Sequence, residues 1–492
     1  MAVVAIDAGT TGIRTVAFDE EANIVASAYS EFPQHYPAPG LVEHDLGEIW
    51  STTLKTLEKV TQTVPASSIT AVGITNQRET ACIWDGATGR PLARAIVWQD
   101  RRTASRCDEL RSSGLEDEIR KVTGLVIDPY FSATKFEWLL SQIDRGESST
   151  PLLGTIDSWL IWNLTGGKTH ATDWSNASRT LLFDIRELRW AESLCSTFGI
   201  PAEMLPDALP SCHLFGETVP EHAAGIAAPI GGVLGDQQAA LFGQACFEVG
   251  MAKNTYGTGS FVLVNLGPNV PQPAKGLLTT VAWGVEGKPV YALEGSIFVT
   301  GAALQWLRDG LGLLETAAET EPIATSVADT GDVYFVPALT GLGSPWWDPY
   351  ARGLIIGITR GTNRAHLVRA AVEAMTYQTR DVIEAMRRAA TIDIEELRVD
   401  GGASVMDLLC QLQADLLGVP VRRPQVSETT AMGAAFAAGL SAGVWDSLTS
   451  LRALWKLDRS FEPRPEREEV EARYQRWLAA VARAQNWASE SP

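Results

Sequence analysis

The chain has 492 residues, of which 45% are hydrophobic and 20% are charged, and its formal net charge is −19. A single hydrophobic core rarely serves so long a chain, so the length predicts two large domains. The negative charge argues against a nucleic-acid backbone or an anionic membrane as the main partner.

The sequence shows no targeting or membrane signal. The N-terminal string MAVVAIDAGTTG lacks a basic segment, and its apolar run is short, so it does not read as a signal peptide. No uninterrupted apolar run approaches the roughly 18 residues of a membrane-spanning helix. Six cysteines are scattered without a CxxC pair, which favours reduced thiols. We therefore expect a cytoplasmic protein without membrane insertion.

The first predicted elements are two strands joined by a glycine- and hydroxyl-rich turn. Residues 2–6 form an apolar strand with Asp7 at its end, residues 9–12 (GTTG) turn the chain, and residues 13–18 return as a strand. Rossmann and Walker loops both open a helix instead, so both of these nucleotide folds are disfavoured. By itself, the turn is also typical of an ordinary hairpin.

Polar residues follow the next buried strands. Residues 69–74 form an apolar strand, and Arg78 and Glu79 lie shortly after it. The carboxyl end of such a strand is a usual ligand site in α/β proteins. Trp98 follows another apolar segment, and Tyr130 is predicted to border a cavity.

The stretch 235–261 combines two features that suit transfer of a phosphoryl group to an alcohol. Asp236 follows the apolar run 230–234, and the turn YGTGS (256–260) can direct backbone N–H groups to a surface. In the alternative interpretation, Asp236 only caps a helix that starts at Gln237, and the turn is a hairpin. By itself the stretch favours this alternative, but the rest of the chain makes phosphoryl transfer the preferred interpretation.

The second half continues the alternation of strands and helices. A short helix within 301–310 exposes Gln305, and residues 397–403 form a strand and a glycine turn before a helix from Ser404. The small-residue helix 430–439 implies close approach to another helix or to a nucleotide. Further helices are predicted at 365–388 and, on the surface, at 466–487.

A strand–turn–strand phosphate loop preceded by Asp is the device of the actin-like ATPases, in which two domains of common topology each supply one loop. Residues 7–11 (DAGTT) would form the first phosphate loop and residues 256–260 the second phosphate loop. Both place Gly beside Thr, as an ancient duplication would leave. We therefore predict an α/β protein of two actin-like ATPase (ribonuclease H-like) domains, residues 1–244 and 245–492, with the active site in the interdomain cleft.

Longer strings follow one another along nearly the whole chain: DAGTTGIR (7–14), GLVEHDLGEIW (40–50), GITNQRET (73–80), AIVWQDRRT (95–103), TGLVIDPYFSATK (123–135), GDQQAALFGQ (235–244), MAKNTYGTGSF (251–261), ALEGSIF (292–298), PWWDPYARG (345–353) and LRVDGGA (397–403). In this order they resemble the FGGY carbohydrate kinases, and most closely the members that phosphorylate glycerol. The resemblance implies phosphorylation of glycerol by ATP and Mg²⁺ to sn-glycerol 3-phosphate, through in-line transfer, in a homo-oligomer (dimer or tetramer).

The resemblance also implies a role for each residue at a matching position. Asp236 matches the general base, and Asp7 and Asp236 match positions that organise Mg²⁺. The positions that match glycerol-binding residues are Arg78, Glu79, Trp98, Tyr130, Asp236, Gln237 and Phe261. The positions that match ATP-binding residues are Thr10, Thr11, Arg14 and Thr258 at the phosphates, and Gly301, Gln305 and Gly402 at the rest of the nucleotide.

Some positions depart from the family pattern. Ala8, Gly12 and Ile13 replace a common Gln, Ser and Ser in the first phosphate loop. Met406 replaces an Asn near the nucleotide, which predicts the loss of one polar contact.

Two further departures concern regulation. Ala227 stands where enterobacterial relatives carry an Arg that helps to bind fructose 1,6-bisphosphate, so we expect weak or absent inhibition by that ligand. His222 lies near the position at which some Gram-positive relatives carry a histidine that is phosphorylated. The aromatic residues of that motif are missing, which favours an ordinary surface histidine.

Two other functions stay open at this point. A sister kinase for another polyol or a ketose would keep both phosphate loops and change the polyol wall, so the intact set Arg78, Glu79, Trp98, Tyr130 and Phe261 argues against it. A non-catalytic actin-like ATPase would need neither a hydroxyl-binding set nor a general base, and both are present.

Overall fold

The computed structural model describes residues 1–143, 150–464 and 467–488. Within these residues, no helix has the length and apolar character needed to cross a membrane. The strands are β1 (Ala2–Ala8), β2 (Gly12–Phe18), β3 (Ile24–Glu31), β4 (Glu43–His44), β5 (Ile69–Asn76), β6 (Cys82–Asp85), β7 (Ala95–Ile96), β8 (Pro151–Gly154), β9 (Ala171–Asp173), β10 (Phe183–Asp184), β11 (Arg189–Trp190), β12 (Asp207–Leu209), β13 (Ile230–Gly235), β14 (Ala252–Tyr256), β15 (Ser260–Gly267), β16 (Leu278–Val285), β17 (Lys288–Ile297), β18 (Tyr334–Val336), β19 (Leu354–Ile356), β20 (Leu397–Asp400), β21 (Val421–Pro424) and β22 (Leu457–Phe461).

The helices alternate with these strands. They are α1 (Leu46–Thr61), α2 (Ala104–Ser112), α3 (Glu116–Thr123), α4 (Ser132–Gln142), α5 (Ile156–Leu164), α6 (Trp174–Ala177), α7 (Glu192–Thr197), α8 (Asp236–Gly243), α9 (Gly301–Asp309), α10 (Thr320–Thr325), α11 (Arg364–Ala390), α12 (Asp407–Leu417), α13 (Thr429–Ser441), α14 (Leu448–Leu454) and α15 (Arg467–Ala484).

Two large sheets share one arrangement of five strands. In the first sheet the order is β13-β5-β1-β2-β3, with β2 antiparallel to β1 and β3, and with β5 and β13 parallel to β1. In the second sheet the order β21-β20-β14-β15-β17 has the same directions, and β22 and β16 extend its two edges. The predicted α/β class, with two sheets of common topology, is confirmed.

Helix α13 lies against the first sheet, although it follows most of the second sheet in the chain. It contacts β1, β5, β13 and α8. A Cβ at Gly433 would lie 1.9 Å from the carbonyl oxygen of Ala239, so α13 and α8 approach backbone to backbone. Helix contact therefore accounts for the small residues of the predicted helix 430–439. The domain boundary at residues 244 and 245 stays a prediction.

One helix start was predicted wrongly. Residues Gly402–Val405 form a 3₁₀ turn, and α12 begins at Asp407 rather than at Ser404. The intervening Met406 has an extended backbone, with φ −74° and ψ 112°, which separates the turn from the helix. The predicted surface helix 466–487 is observed as α15, and residue 466 lies outside the described residues.

Candidate active site

Three parallel strands of the first sheet end at one edge, and each has a charged residue near or just after its end. Strands β1 and β13 both pair in parallel with β5. Asp7 lies near the end of β1, Arg78 lies two residues after β5, and Asp236 directly follows β13. Ligands of open α/β sheets bind outside the carboxyl ends of such strands. The topology therefore brings Asp7, Arg78 and Asp236 to one site.

Asp236 is the first residue of α8 and remains accessible. Its Oδ1 accepts the backbone N–H of Gln237 at 2.7 Å and lies 3.1 Å from Nε of Arg78. Its side chain keeps 29% of its surface exposed, which leaves room for a ligand hydroxyl. Burial of the rest raises the pKa of Asp236, against the lowering effect of Arg78 and Lys253. The helix thus begins at Asp236, with Gly235 as its N-cap, rather than at Gln237 as the alternative interpretation held. Asp236 also lies open to a ligand.

Arg78 is almost fully buried and has a fixed orientation. Both terminal nitrogens donate to the carboxylate of Glu294, Nη1 at 2.5 Å and Nη2 at 3.1 Å. Nη1 also donates to Oε1 of Gln238 at 3.1 Å, and Nη2 donates to the Tyr130 hydroxyl at 3.3 Å. Together with the contact between Nε and Asp236, these bonds engage all three guanidinium nitrogens.

Glu79 and Arg179 extend these contacts into a buried network of two cations and two anions. Arg179 donates from Nε to Oε1 of Glu79 at 2.7 Å and from Nη2 to Oε1 of Glu294 at 3.0 Å. Burial alone would raise the pKa of Glu294, but Arg179 and Arg78 lower it to about 2. Glu79 has a φ of 61°, which is uncommon for a residue other than glycine and is typical of functional sites.

Tyr130 and Phe261 of the predicted polyol wall contact Arg78, and Trp98 contacts Tyr130. The rings of Trp98 and Tyr130 meet edge to face, with their centroids 5.6 Å apart, and the guanidinium carbon of Arg78 lies 5.7 Å from the ring centroid of Phe261. The indole N–H of Trp98 donates to the Thr10 hydroxyl at 3.0 Å. The wall is thereby joined to the first phosphate loop.

The first phosphate loop connects β1 to β2, as predicted. Thr10 is partly exposed and Thr11 is exposed, and Arg14 forms an ion pair with Glu428 at 2.7 Å. Burial and the nearby negative charges of Asp236 and Glu428 raise the pKa of Asp7 to about 7, although Arg14 opposes them. The carboxyl group of Asp7 therefore keeps its proton to a higher pH than an ordinary aspartate does.

Gly12 departs from the family pattern, and the structure gives a reason. A Cβ there would lie 2.7 Å from both the Tyr29 hydroxyl and the carbonyl oxygen of Ser30. The Tyr29 hydroxyl lies 3.4 Å from the Thr11 hydroxyl, and the Tyr29 ring centroid lies 5.3 Å from the guanidinium carbon of Arg14. Tyr29 therefore fills the space that a larger residue at position 12 would need.

The second phosphate loop connects β14 to β15 and docks on the N-terminus of α9. The backbone N–H groups of Gly301 and Ala302 donate to the carbonyl oxygens of Gly257 and Thr258, each at 3.0 Å. A Cβ at Gly301 would lie 2.6 Å from the Gly257 oxygen, so this approach requires glycine. Gln305 is exposed farther along α9.

The glycine turn after β20 lies beside this loop. A Cβ at Gly401 would meet the carbonyl oxygen of Tyr256 at 2.5 Å, whereas Gly402 is exposed and has open space around it. The structure thus brings Thr258, Gly301 and Gly402 to one edge of the second sheet. Met406 lies in the core of the second domain and is 6% exposed, so its side chain is directed away from solvent.

Sequence reasoning missed Lys253, Arg179 and Glu294. Lys253 is buried on β14 and donates from Nζ to Oε1 of Gln237 at 2.6 Å and to the Thr255 hydroxyl at 2.9 Å. Burial lowers its pKa to about 8, although neighbouring carboxylates oppose this. The sequence offered little signal for Lys253, because its strand (AKNTY) mixes polar and apolar residues and does not mark the lysine as buried.

Comparisons with known proteins identify the family of the chain. Residues 2–243 match the N-terminal domain of the FGGY family of carbohydrate kinases, and residues 252–442 match its C-terminal domain. A glycerol kinase of Carboxydothermus hydrogenoformans is 56% identical over 494 residues, and glycerol kinase 2 of Thermotoga maritima is 54% identical over 491 residues. Both alignments cover 99% of this chain and 99% of the relative.

A crystal structure of Plasmodium falciparum glycerol kinase with ADP superimposes with a TM-score of 0.92 at 36% identity, and the match covers 98% of each chain. The likeness confirms the predicted pair of actin-like domains. The chain is therefore an enzyme and belongs to the FGGY family of carbohydrate kinases.

Proposed function

We propose that the chain transfers the γ-phosphoryl group of ATP to a terminal hydroxyl of glycerol, with sn-glycerol 3-phosphate and ADP as products. The position of Asp236 carries this proposal: the carboxylate lies at the carboxyl edge of the first sheet, 3.1 Å from Nε of Arg78. The relatives at 54–56% identity, which are named glycerol kinases, support glycerol as the acceptor.

The acceptor pocket combines polar groups with an aromatic surface. Glycerol offers three hydroxyls and a small carbon face, which suit charged hydrogen-bonding groups beside aromatic rings. The polar residues are Arg78, Glu79, Tyr130, Asp236 and Gln237, and the apolar walls are Trp98 and Phe261.

Asp236 acts as the general base in this proposal. Its carboxylate takes the proton of the terminal hydroxyl while that oxygen bonds to the γ-phosphorus, and the bond to the β,γ-bridging oxygen breaks on the opposite side. The raised pKa of Asp236 makes its carboxylate a stronger base than that of an ordinary aspartate, which favours proton transfer. The same carboxylate must be ionised to accept the proton, so activity requires a pH above its pKa.

The two phosphate loops hold the nucleotide from opposite domains. In this proposal the residues at the phosphates are Thr10, Thr11, Arg14 and Thr258, and backbone N–H groups of both loops stabilise the charge on the transferred group. The remainder of the nucleotide lies against Gly301, Gln305 and Gly402. The Plasmodium relative, which is 36% identical and was crystallised with ADP, supports the binding of an adenine nucleotide.

In this proposal, Asp7 and Asp236 would hold a magnesium ion jointly with the phosphates of the nucleotide. Among the described residues, no group of three or more His, Cys, Asp or Glu is arranged to hold a metal by itself. Mg²⁺ is usually bound by one or two carboxylates plus substrate phosphates, and these two carboxylates interact closely enough for Asp236 to raise the pKa of Asp7. When bound, Mg²⁺ would neutralise charge on the phosphates.

The decisive experiment measures ADP release from ATP and Mg²⁺ with glycerol, erythritol, xylulose, gluconate or no acceptor. We expect turnover with glycerol alone and sn-glycerol 3-phosphate as the product. Turnover with a different acceptor would identify a sister kinase and would leave the role of Asp236 intact. ADP release that no acceptor stimulates would refute the polyol pocket.

A further inference from the structure

The second domain contributes two buried charged side chains to the acceptor pocket. Glu294 belongs to β17 and Lys253 to β14, both in the second sheet. Their partners, Arg78 and Gln237, belong to the edge of the first sheet. Each pair therefore bonds across the boundary between the two sheets, at residues that the proposed function places against glycerol.

The carboxylate of Glu294 binds Arg78 through both of its oxygens. The carboxylate is fully buried and binds both terminal nitrogens of Arg78. A bidentate pair of this kind fixes the plane of the guanidinium as well as its position. Arg179 donates to the same carboxylate at 3.0 Å, which restrains the carboxylate in turn. The Nε of Arg78 is thereby held facing Asp236.

Lys253 holds Gln237 in a comparable way. Its ammonium group has three N–H donors, and Nζ contacts three acceptors: Oε1 of Gln237 at 2.6 Å, the Thr255 hydroxyl at 2.9 Å and the carbonyl oxygen of Phe261 at 3.3 Å. Because an ammonium group can only donate, it must face the oxygen of the Gln237 amide. The amide N–H₂ is then the end that Gln237 can offer to a ligand.

We propose that Glu294 and Lys253 are positioning residues of the acceptor pocket, Glu294 by aiming Arg78 and Lys253 by orienting Gln237. The inference rests on the proposed function and deepens it. It adds two charged positioning residues to the part of the polyol pocket that the second domain already supplies through Phe261. Neither side chain needs to touch glycerol for this role.

The role predicts a particular kinetic signature. A displaced Arg78 or a turned Gln237 disturbs the acceptor and its alignment with Asp236, whereas both phosphate loops keep their contacts. The KM for glycerol and kcat should therefore change, while the KM for ATP should stay close to that of the unaltered protein. General destabilisation would not separate the two substrates in this way.

Glu294→Asp tests the first pair, because it keeps the charge and withdraws the carboxylate by one methylene group. A displacement of about 1 Å can cost about 100-fold in rate, so we expect a loss of this order in kcat/KM for glycerol. Glu373→Asp is the matched control. Glu373 lies on α11, is 5% exposed and binds Nε of Arg369 at 2.8 Å, so its shortening should change stability without separating the two KM values.

Lys253→Met and Lys253→Arg test the second pair. Met removes the donor that orients Gln237, and we expect a raised KM for glycerol; Arg restores a cationic donor and should recover part of the loss. Thermal unfolding of each variant identifies those that have lost the fold. If Glu294→Asp unfolds, the Lys253 variants decide alone.

Variants that keep the KM for glycerol, or that raise both KM values equally, would overturn the inference. The same assay separates this failure from a failure of the proposed function. If the unaltered protein does not phosphorylate glycerol, the proposed function fails, whatever the variants do. If the unaltered protein does phosphorylate it and the folded variants match it, only the positioning role fails.

Discussion

The two sheets share strand order and direction, but the carboxylates at their carboxyl edges have different surroundings. At the first edge, Asp7 and Asp236 remain open enough to meet a ligand, and the charge of Asp236 helps burial to raise the pKa of Asp7. At the second edge, Asp400 ends β20, which corresponds to β5 of the first sheet. Asp400 is buried and accepts bonds from Thr429 at 2.6 Å and from Gln244 at 2.8 Å. Common topology therefore does not decide what an edge does; the local partners of its carboxylates do.

The two phosphate loops differ in a similar way. The first packs against the ring of Tyr29 and has an ion pair beside it, between Arg14 and Glu428. The carbonyl oxygens of the second loop accept hydrogen bonds from backbone N–H groups at the N-terminus of α9. We interpret this as a division of work, with the acceptor and the carboxylates at the first edge and much of the nucleotide at the second. The following experiments test that division.

The largest expected effect belongs to Asp236. Asp236→Asn keeps the size of the side chain and its place on α8 but removes the proposed base. General-base catalysis typically contributes about 10²- to 10⁴-fold, and we expect a fall of this order in kcat. Steady-state ADP release measures it, with thermal unfolding as the control for folding. A kcat like that of the unaltered protein would refute the assignment of the base.

Gly301→Ala should affect the nucleotide side alone. The added Cβ would meet the Gly257 oxygen at 2.6 Å and displace the second phosphate loop, so we expect the KM for ATP to rise about tenfold, with little change in the KM for glycerol. Gly361→Ala is the control, because a Cβ there would have only the Thr359 hydroxyl as a near neighbour, at 3.8 Å. A larger effect on the KM for glycerol than on that for ATP would contradict the division of work.

Asp7 should make the ligand-free protein less stable as the pH rises. Its pKa is 3.8 in the unfolded chain and about 7 in the fold, so the folded state binds more protons between these values. The free energy of unfolding should therefore fall as the pH increases through this window. Asp7→Asn removes this contribution, so its stability relative to the unaltered protein should be greater at about pH 8 than at about pH 4. Denaturant titrations at both pH values measure the difference, and parallel pH dependences would refute the shift.

The smallest expected effect concerns regulation. Ala227 is exposed at the surface and lacks the guanidinium with which enterobacterial relatives bind fructose 1,6-bisphosphate. We expect that this ligand leaves the rate of glycerol phosphorylation nearly unchanged in a steady-state assay. Strong inhibition at low concentration would show that other residues of this surface bind it.

Local patterns in the sequence were sufficient for the parts of the protein that local chemistry controls. Apolar runs of strand length located β1, β5 and β13, and the glycine–threonine turns located both phosphate loops, because only a few neighbouring residues set these conformations. Asp236 could be chosen because it directly follows a buried strand. The resemblance of longer strings then supplied the roles of the remaining site residues.

Tertiary structure alone decided which distant side chains meet. Arg78 and Glu294 are 216 positions apart, and no periodicity relates them. Glu294 is a charged residue within a largely apolar strand and Lys253 lies in a strand of mixed polarity. Only the meeting of the two sheets in the fold gives each its partner. Tertiary packing also places α13 on the first sheet and keeps Met406 in the core of the second domain. Long-range contacts of this kind depend on the docking of whole elements, which local propensity does not encode.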